Sequence, residues 1–174
     1  MADVNKLTPF ILKWEGGFVN NPNDLGGATN KGVTFNTFKD YCKKKGRPEP
    51  TIDDLKKISD EDWTDIMKGS YWDRWKADTI RNQSVANILV DWLWMSGVHA
   101  IKRPQTVLGV AADGIVGPNT INAINNYPSQ EELFNRIKKA RYEFIDEICT
   151  ARPANENFRK GWINRLEGLT FFEE

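Results

Sequence analysis

The sequence is poor in the residues that build metal centres and redox pairs. It holds one histidine, His99, and two cysteines, Cys42 and Cys149. A lone imidazole excludes multi-histidine metal sites, and two distant thiols are too few for a zinc site, so they read as free. No serine or cysteine motif of a nucleophilic hydrolase accompanies His99, which reads as structural. Neither sign of charge predominates, with 24 Lys+Arg against 24 Asp+Glu. That balance argues against a nucleic-acid partner and leaves no acidic tail. The local run Lys39, Lys43, Lys44, Lys45 and Arg47 reads as a solvated helix face. No apolar stretch reaches the ~18 residues of a membrane span. The opening MADVNKLTPF lacks the basic and apolar regions of a signal peptide. The expectation is a soluble chain made in the cytoplasm, which another factor releases if it acts outside.

What is present is helical periodicity. At 174 residues the chain suits one domain, or one with a small annex, and buries a real core. Leu7, Phe10, Ile11 and Trp14 recur at helical spacing, so a first helix should run to about Glu15, ended by Gly16-Gly17. Residues 17–33 lack that period and suit a loop or short β-hairpin. Thr34 should cap a second helix carrying Phe35, Phe38, Tyr41 and Cys42. A short helix follows over Asp53 to Ile58, and Ser59 opens another with acids in its first turn. Residues 84–95 are apolar nearly all round, the mark of a central buried helix. Further helices are expected over His99 to Leu108, from Pro118, from Ser129 and over Gly161 to Leu169. No tandem repeat or low-complexity linker interrupts them. The class is mainly α, with a small loop or β-hairpin insert.

The chemistry gathers in residues 15–34, EGGFVNNPNDLGGATNKGVT. Glu15 ends a helix-like run and opens a Gly-rich polar loop, where backbone approaches a ligand closely. A general acid must stay protonated near neutral pH. The negative end of a helix dipole favours the neutral carboxyl, and burial would have to supply the rest. Asp24 and Thr29 supply a second carboxylate and a hydroxyl, a set suited to glycoside hydrolysis. Each also has a plainer reading: a solvated helix-end Glu15, an Asx-turn at Asp24, a loop hydroxyl at Thr29. Of seven tryptophans, Trp92 and Trp94 fall in the buried helix and Trp162 has core spacing. Trp72 with Tyr71 is the candidate pair for stacking on sugar rings. Asp113-Gly114 reads equally as a turn before the Pro118 helix.

Glu15-Gly-Gly-Phe18 followed by Asn20-Asn21-Pro22-x-Asp24-x-Gly26-Gly27-x-Thr29-Asn30-x-Gly32-Val33-Thr34 resembles the opening motif of the glycoside hydrolase family 108 N-acetylmuramidases. These are lysozyme-like enzymes of bacteria and phages, some labelled secretion-activating proteins. Tyr71-Trp72 resembles the family's aromatic pair, and Val90-Asp91 with Ser96-Gly97 its central helix. Ala112-Asp113-Gly114-x-x-Gly117-Pro118-x-Thr120 resembles its peptidoglycan-binding segment, and Gly161-Trp162-x-Asn164-Arg165 its closing motif. Phe18 replaces the usual tyrosine, Leu25 the common proline, and Trp92-Leu-Trp94-Met smaller, more polar residues. Phage-type lysozymes place eight and then five residues between their active-site Glu, Asp and Thr. Here eight separate Glu15 from Asp24 but four separate Asp24 from Thr29, and Asn30 takes the five-residue position.

The resemblance implies a lysozyme-like fold, with a catalytic region over 1–97 and a peptidoglycan-binding-like helical region over 98–174. It implies cleavage of the β-1,4 bond between N-acetylmuramic acid and N-acetylglucosamine. Glu15 is then the general acid, assisted by Asp24 and Thr29. Asn30, Tyr71, Trp72, Asp91 and Asp113 are the substrate-binding candidates. No cofactor or metal is implied. The expected partner is the peptidoglycan glycan strand, met by a monomer without nucleic acid or a membrane span. The alternative is a non-catalytic wall-binding or secretion-accessory protein.

Overall fold

The structure, a computed structural model, describes residues 1–21 and 27–173. Among these the chain is mainly α, with nine α-helices and one three-stranded antiparallel sheet, the class expected from sequence. It forms two compact units, one of Asn5–Ser70 and one of Met1–Val4 with Tyr71–Glu174.

In the smaller unit, helix α1 (Val4–Trp14) carries Leu7 and Ile11, both fully buried. The sheet follows, with strands β1 (Val19–Asn20), β2 (Ala28–Asn30) and β3 (Val33–Thr34) in that order. Val19 pairs with Thr29, and Thr29 in turn with Thr34. Between β2 and β3, Lys31 and Gly32 both have positive φ, 49° and 79°. That is the two-residue hairpin whose twist matches its strands, and glycine supplies the second position without a Cβ penalty. Helix α2 (Phe35–Lys44) is capped by Thr34, whose hydroxyl accepts from the Thr37 N–H. Helix α3 (Ile52–Lys56) opens on a reciprocal Thr51–Asp54 capping box, and α4 (Asp60–Met67) on Ser59. Between α2 and α4, Tyr41 donates to Asp62 and Asp65, and Arg47 grips both oxygens of Asp62.

The larger unit is built around α5 (Gln83–Ser96), buried from Gln83 through Leu93. It packs against α6 (His99–Leu108) and α8 (Gln130–Ala151), and α8 packs against α9 (Glu156–Glu167). Helix α7 (Pro118–Asn125) lies on α6 and takes proline at its first position, as expected. The last helix begins at Glu156, five residues before Gly161. Glycine and the polar residues ahead of it obscure its apolar period. Both chain ends are tied to the start of α5. The Asp3 N–H donates to Gln83, and Ser84 Oγ donates to the Phe172 carbonyl while accepting its N–H. His99 is exposed at the start of α6 with its ring 5.9 Å from Phe144, a packing role. Cys42 and Cys149 are buried free thiols.

Candidate active site

Glu15 stands one residue past α1, half-buried, its N–H closing the last turn onto the Ile11 carbonyl. Four residue steps lead from it to Val19, a span of at most ~14 Å, and Val19 faces Thr29 across the ladder. Glu15 and Thr29 therefore share one loop-and-sheet neighbourhood of the smaller unit. Thr29 lies on the central strand, half-buried. Asp24 falls within 22–26, outside the described residues.

Asn30 does something other than the substrate contact expected of it. It is buried, and its amide donates to the Leu55 carbonyl at 2.9 Å and the Lys56 carbonyl at 3.2 Å. Those carbonyls lie in the last turn of α3, where intrahelical donors run out, so Asn30 fastens the hairpin to that helix. Trp63 adds a second tie, its indole N–H donating to the Lys31 carbonyl at 2.9 Å. The hairpin that carries Thr29 is thus held from two sides, which fixes the hydroxyl beside it.

The aromatic pair also differs from expectation. Trp72 is fully buried and donates its indole N–H to Asp78 at 2.7 Å, so its ring meets no sugar. Residues 68–72 form a π-helical turn. Its wider hydrogen-bond spacing sets the side chains out of α-helical phase. The half-buried partner of Tyr71 is instead Trp94, with ring centroids 4.8 Å apart at 59°. Trp92 and Trp94 lie two residues apart on α5, on nearly opposite faces. Only Trp92 is buried. That spacing was the available signal.

Asp91 is a structural anchor. It is fully buried and accepts from Arg141 at 3.0 Å and from Arg165 at 2.7 Å. One carboxylate from α5 joins α8 and α9, and no surface remains for the expected sugar contact. Asp113 is exposed, and its carboxylate accepts from the Ile115 N–H at 2.9 Å and from Gln105 at 3.2 Å. Those two donors, Ile115 first, hold its carboxyl below the usual range. Gln105 is the residue the sequence reading missed. Fully buried, it accepts the Gly114 N–H and donates to Asp113, the Ile115 carbonyl and Thr120. Its signal was a polar residue four positions after Ile101 on the buried face of α6.

No group of three His, Cys, Asp or Glu among the described residues is placed to hold a metal, and none of their helices is long and apolar enough to cross a membrane. A comparison with curated proteins finds no match. The chain is similar to the solved structure of SagA from Brucella abortus, at 29% identity and a TM-score of 0.75, over 95% of this chain and 90% of that one. Residues 99–167 match the family model described as Predicted Peptidoglycan domain. Residues 8–97, which include Glu15, the sheet, Tyr71 and Asp91, match the model described as Glycosyl hydrolase 108. That match spans more than half of the sequence, and the chain belongs to the glycosyl hydrolase 108 family.

Proposed function

We propose that this protein is an N-acetylmuramidase that cleaves the β-1,4 bond between N-acetylmuramic acid and N-acetylglucosamine, with Glu15 as general acid. The observation that carries the reading is the place of Glu15. It stands one residue past α1 and opens directly into a Gly-rich loop and an anchored sheet, which lie with it inside the residues matched by the hydrolase family. Glu15 protonates the leaving glycosidic oxygen, a step commonly worth ~10²–10⁴-fold. Asp24 holds or activates the water, or stabilises the oxocarbenium-like transition state. Between the two hydroxyl- or amide-bearing candidates, Thr29 is favoured as the positioning group, because the Asn30 amide is engaged by α3.

The peptidoglycan-domain match supports a glycan strand of the wall as partner, met by a monomer after release from the cell that makes it. The Asp113 turn presents Ile115, 70% exposed, and serves as a wall contact rather than a chemical group. Digestion of purified peptidoglycan followed by borohydride reduction tests the bond assignment. N-acetylmuramitol at the new ends is the expected product, and N-acetylglucosaminitol overturns it. Release of no fragments, with the protein still pelleting on the wall, would establish the non-catalytic accessory reading instead.

A further inference from the structure

In the larger unit, a cavity of about 80 Å³ lies among the end of α5, the body of α8 and α9. At ~30 Å³ per water, it has room for a few waters or one compact organic molecule. Its lining combines opposite characters. Trp92, Phe144, Ile148 and Trp162 make it apolar, while Arg141 and Arg165 bring guanidiniums to it.

Arg141 is 5% exposed. Its described bonds run from Nη1 to the Ile88 carbonyl and from Nη2 to Asp91, two of the five N–H donors a guanidinium carries. The carboxylate opposite it is shared, because Asp91 also accepts from Arg165 at the shorter distance of 2.7 Å. Burial lowers the Arg141 pKa, Asp91 pulls against that, and the nearby Arg165 adds to the lowering. A buried cation so placed gains from a further anion that it can hydrogen-bond. The aromatic and aliphatic lining in turn favours an anion with an apolar body over an inorganic one. The volume accommodates an apolar body of a few carbons.

We propose that this cavity binds a short aliphatic carboxylate, its charge against Arg141 and its chain against Trp92 and Ile148. The inference is independent of the glycosidase reading, since it concerns none of the residues given a role there. Two sources present the same chemistry, a free short-chain acid and the C-terminal carboxylate of a wall stem peptide.

The probes are sodium isobutyrate and acetyl-D-alanyl-D-alanine, titrated into the whole protein while the indole N–H signals of Trp92 and Trp162 are followed by NMR. Isobutyrate should shift both signals saturably with a roughly millimolar dissociation constant, as suits so small a ligand. Saturation by isobutyrate alone identifies a free acid, and saturation by the peptide identifies a peptide terminus. Isobutyramide, of the same shape without the charge, should bind at least tenfold more weakly. Ile148→Phe fills the space and should weaken binding at least tenfold, and Met95→Phe serves the same end should Ile148→Phe not fold. Equal binding of acid and amide, unchanged binding in the filled variant, or no saturable shift with either probe overturns the proposal.

Discussion

Asp91 accepts from two buried guanidiniums with one carboxylate, so its removal takes an ion-pair partner from both at once. Breaking a buried ion pair from one side costs ~3–5 kcal/mol, and both partners here are about 5% exposed. Asp91→Ala should lower unfolding free energy by at least ~3 kcal/mol, read from urea melts. A sugar-binding aspartate would behave oppositely, with wild-type stability and a raised KM on wall fragments. Glu15 carries the contrary expectation. It is half-buried at a helix end, and the amide of Glu15→Gln keeps its shape but cannot donate the proton. Turbidity clearance of wall suspensions should fall far more than tenfold with an unchanged melt, and clearance within tenfold of wild type would move the acid elsewhere. Asp62 supplies a pH test. The Arg47 hydrogen bond, then that of Tyr41, hold its carboxyl below the usual range against the opposing effect of burial. A carboxyl depressed on folding contributes stability above its unfolded value of ~3.9, lost as pH falls through the folded one. The stability gap between wild type and Asp62→Asn should therefore be full at neutral pH and close below about pH 4. Urea midpoints measured across that range check it, and a constant gap would contradict the ion pair.

The turn from Asp113 to Thr120 stands on a single amide. Gln105 closes four described hydrogen bonds to it from α6, and its isosteric loss leaves buried polar groups unmatched. Gln105→Leu should cost ~2–4 kcal/mol, given ~1–3 for each group left unsatisfied. Gly114→Ala should be worse than Gly109→Ala. Both glycines have positive φ, but only at Gly114 would a Cβ meet Val98 Cγ2, at 2.9 Å. Equal melting losses for the two would mean that Val98 yields freely. How far such features can be read from sequence depends on range. Thr34, Ser59 and Ser129 cap helices as their local patterns announce, because a cap bonds within three residues. The hairpin at Lys31-Gly32 is local in the same way. Asn30 and Gln105 were illegible because their partners lie 25 and up to 15 positions away. Trp72 misled for another reason, since an aromatic side chain beside Tyr71 reads alike whether it faces a sugar or the core, and here it is fully buried on Asp78.

Across the whole molecule the charges cancel, at 24 of each sign, and the local excess is partly spoken for. Of the basic run on and after α2, Arg47 pairs with Asp62 and Lys45 with Asp65. Lys39 lies over the Phe35 ring at 5.0 Å. A protein with a strong positive surplus is drawn to an anionic wall from beyond contact distance, and salt removes that attraction as the Debye length shrinks. This chain has no such long-range pull to lose. On the proposed function, engagement of the wall would then rest on short-range contacts at the site and at the turn that exposes Ile115, which salt screens little. Clearance of wall suspensions should accordingly change by less than about threefold between roughly 20 and 200 mM salt, over which the Debye length falls from about 20 to 7 Å. Added salt leaves in place the carboxyl chemistry proposed for Glu15, so turnover on a short soluble glycan serves as the internal control. A steep loss on intact walls alone would show that Lys43 and Lys44, with the rest of that run, steer binding despite the neutral total.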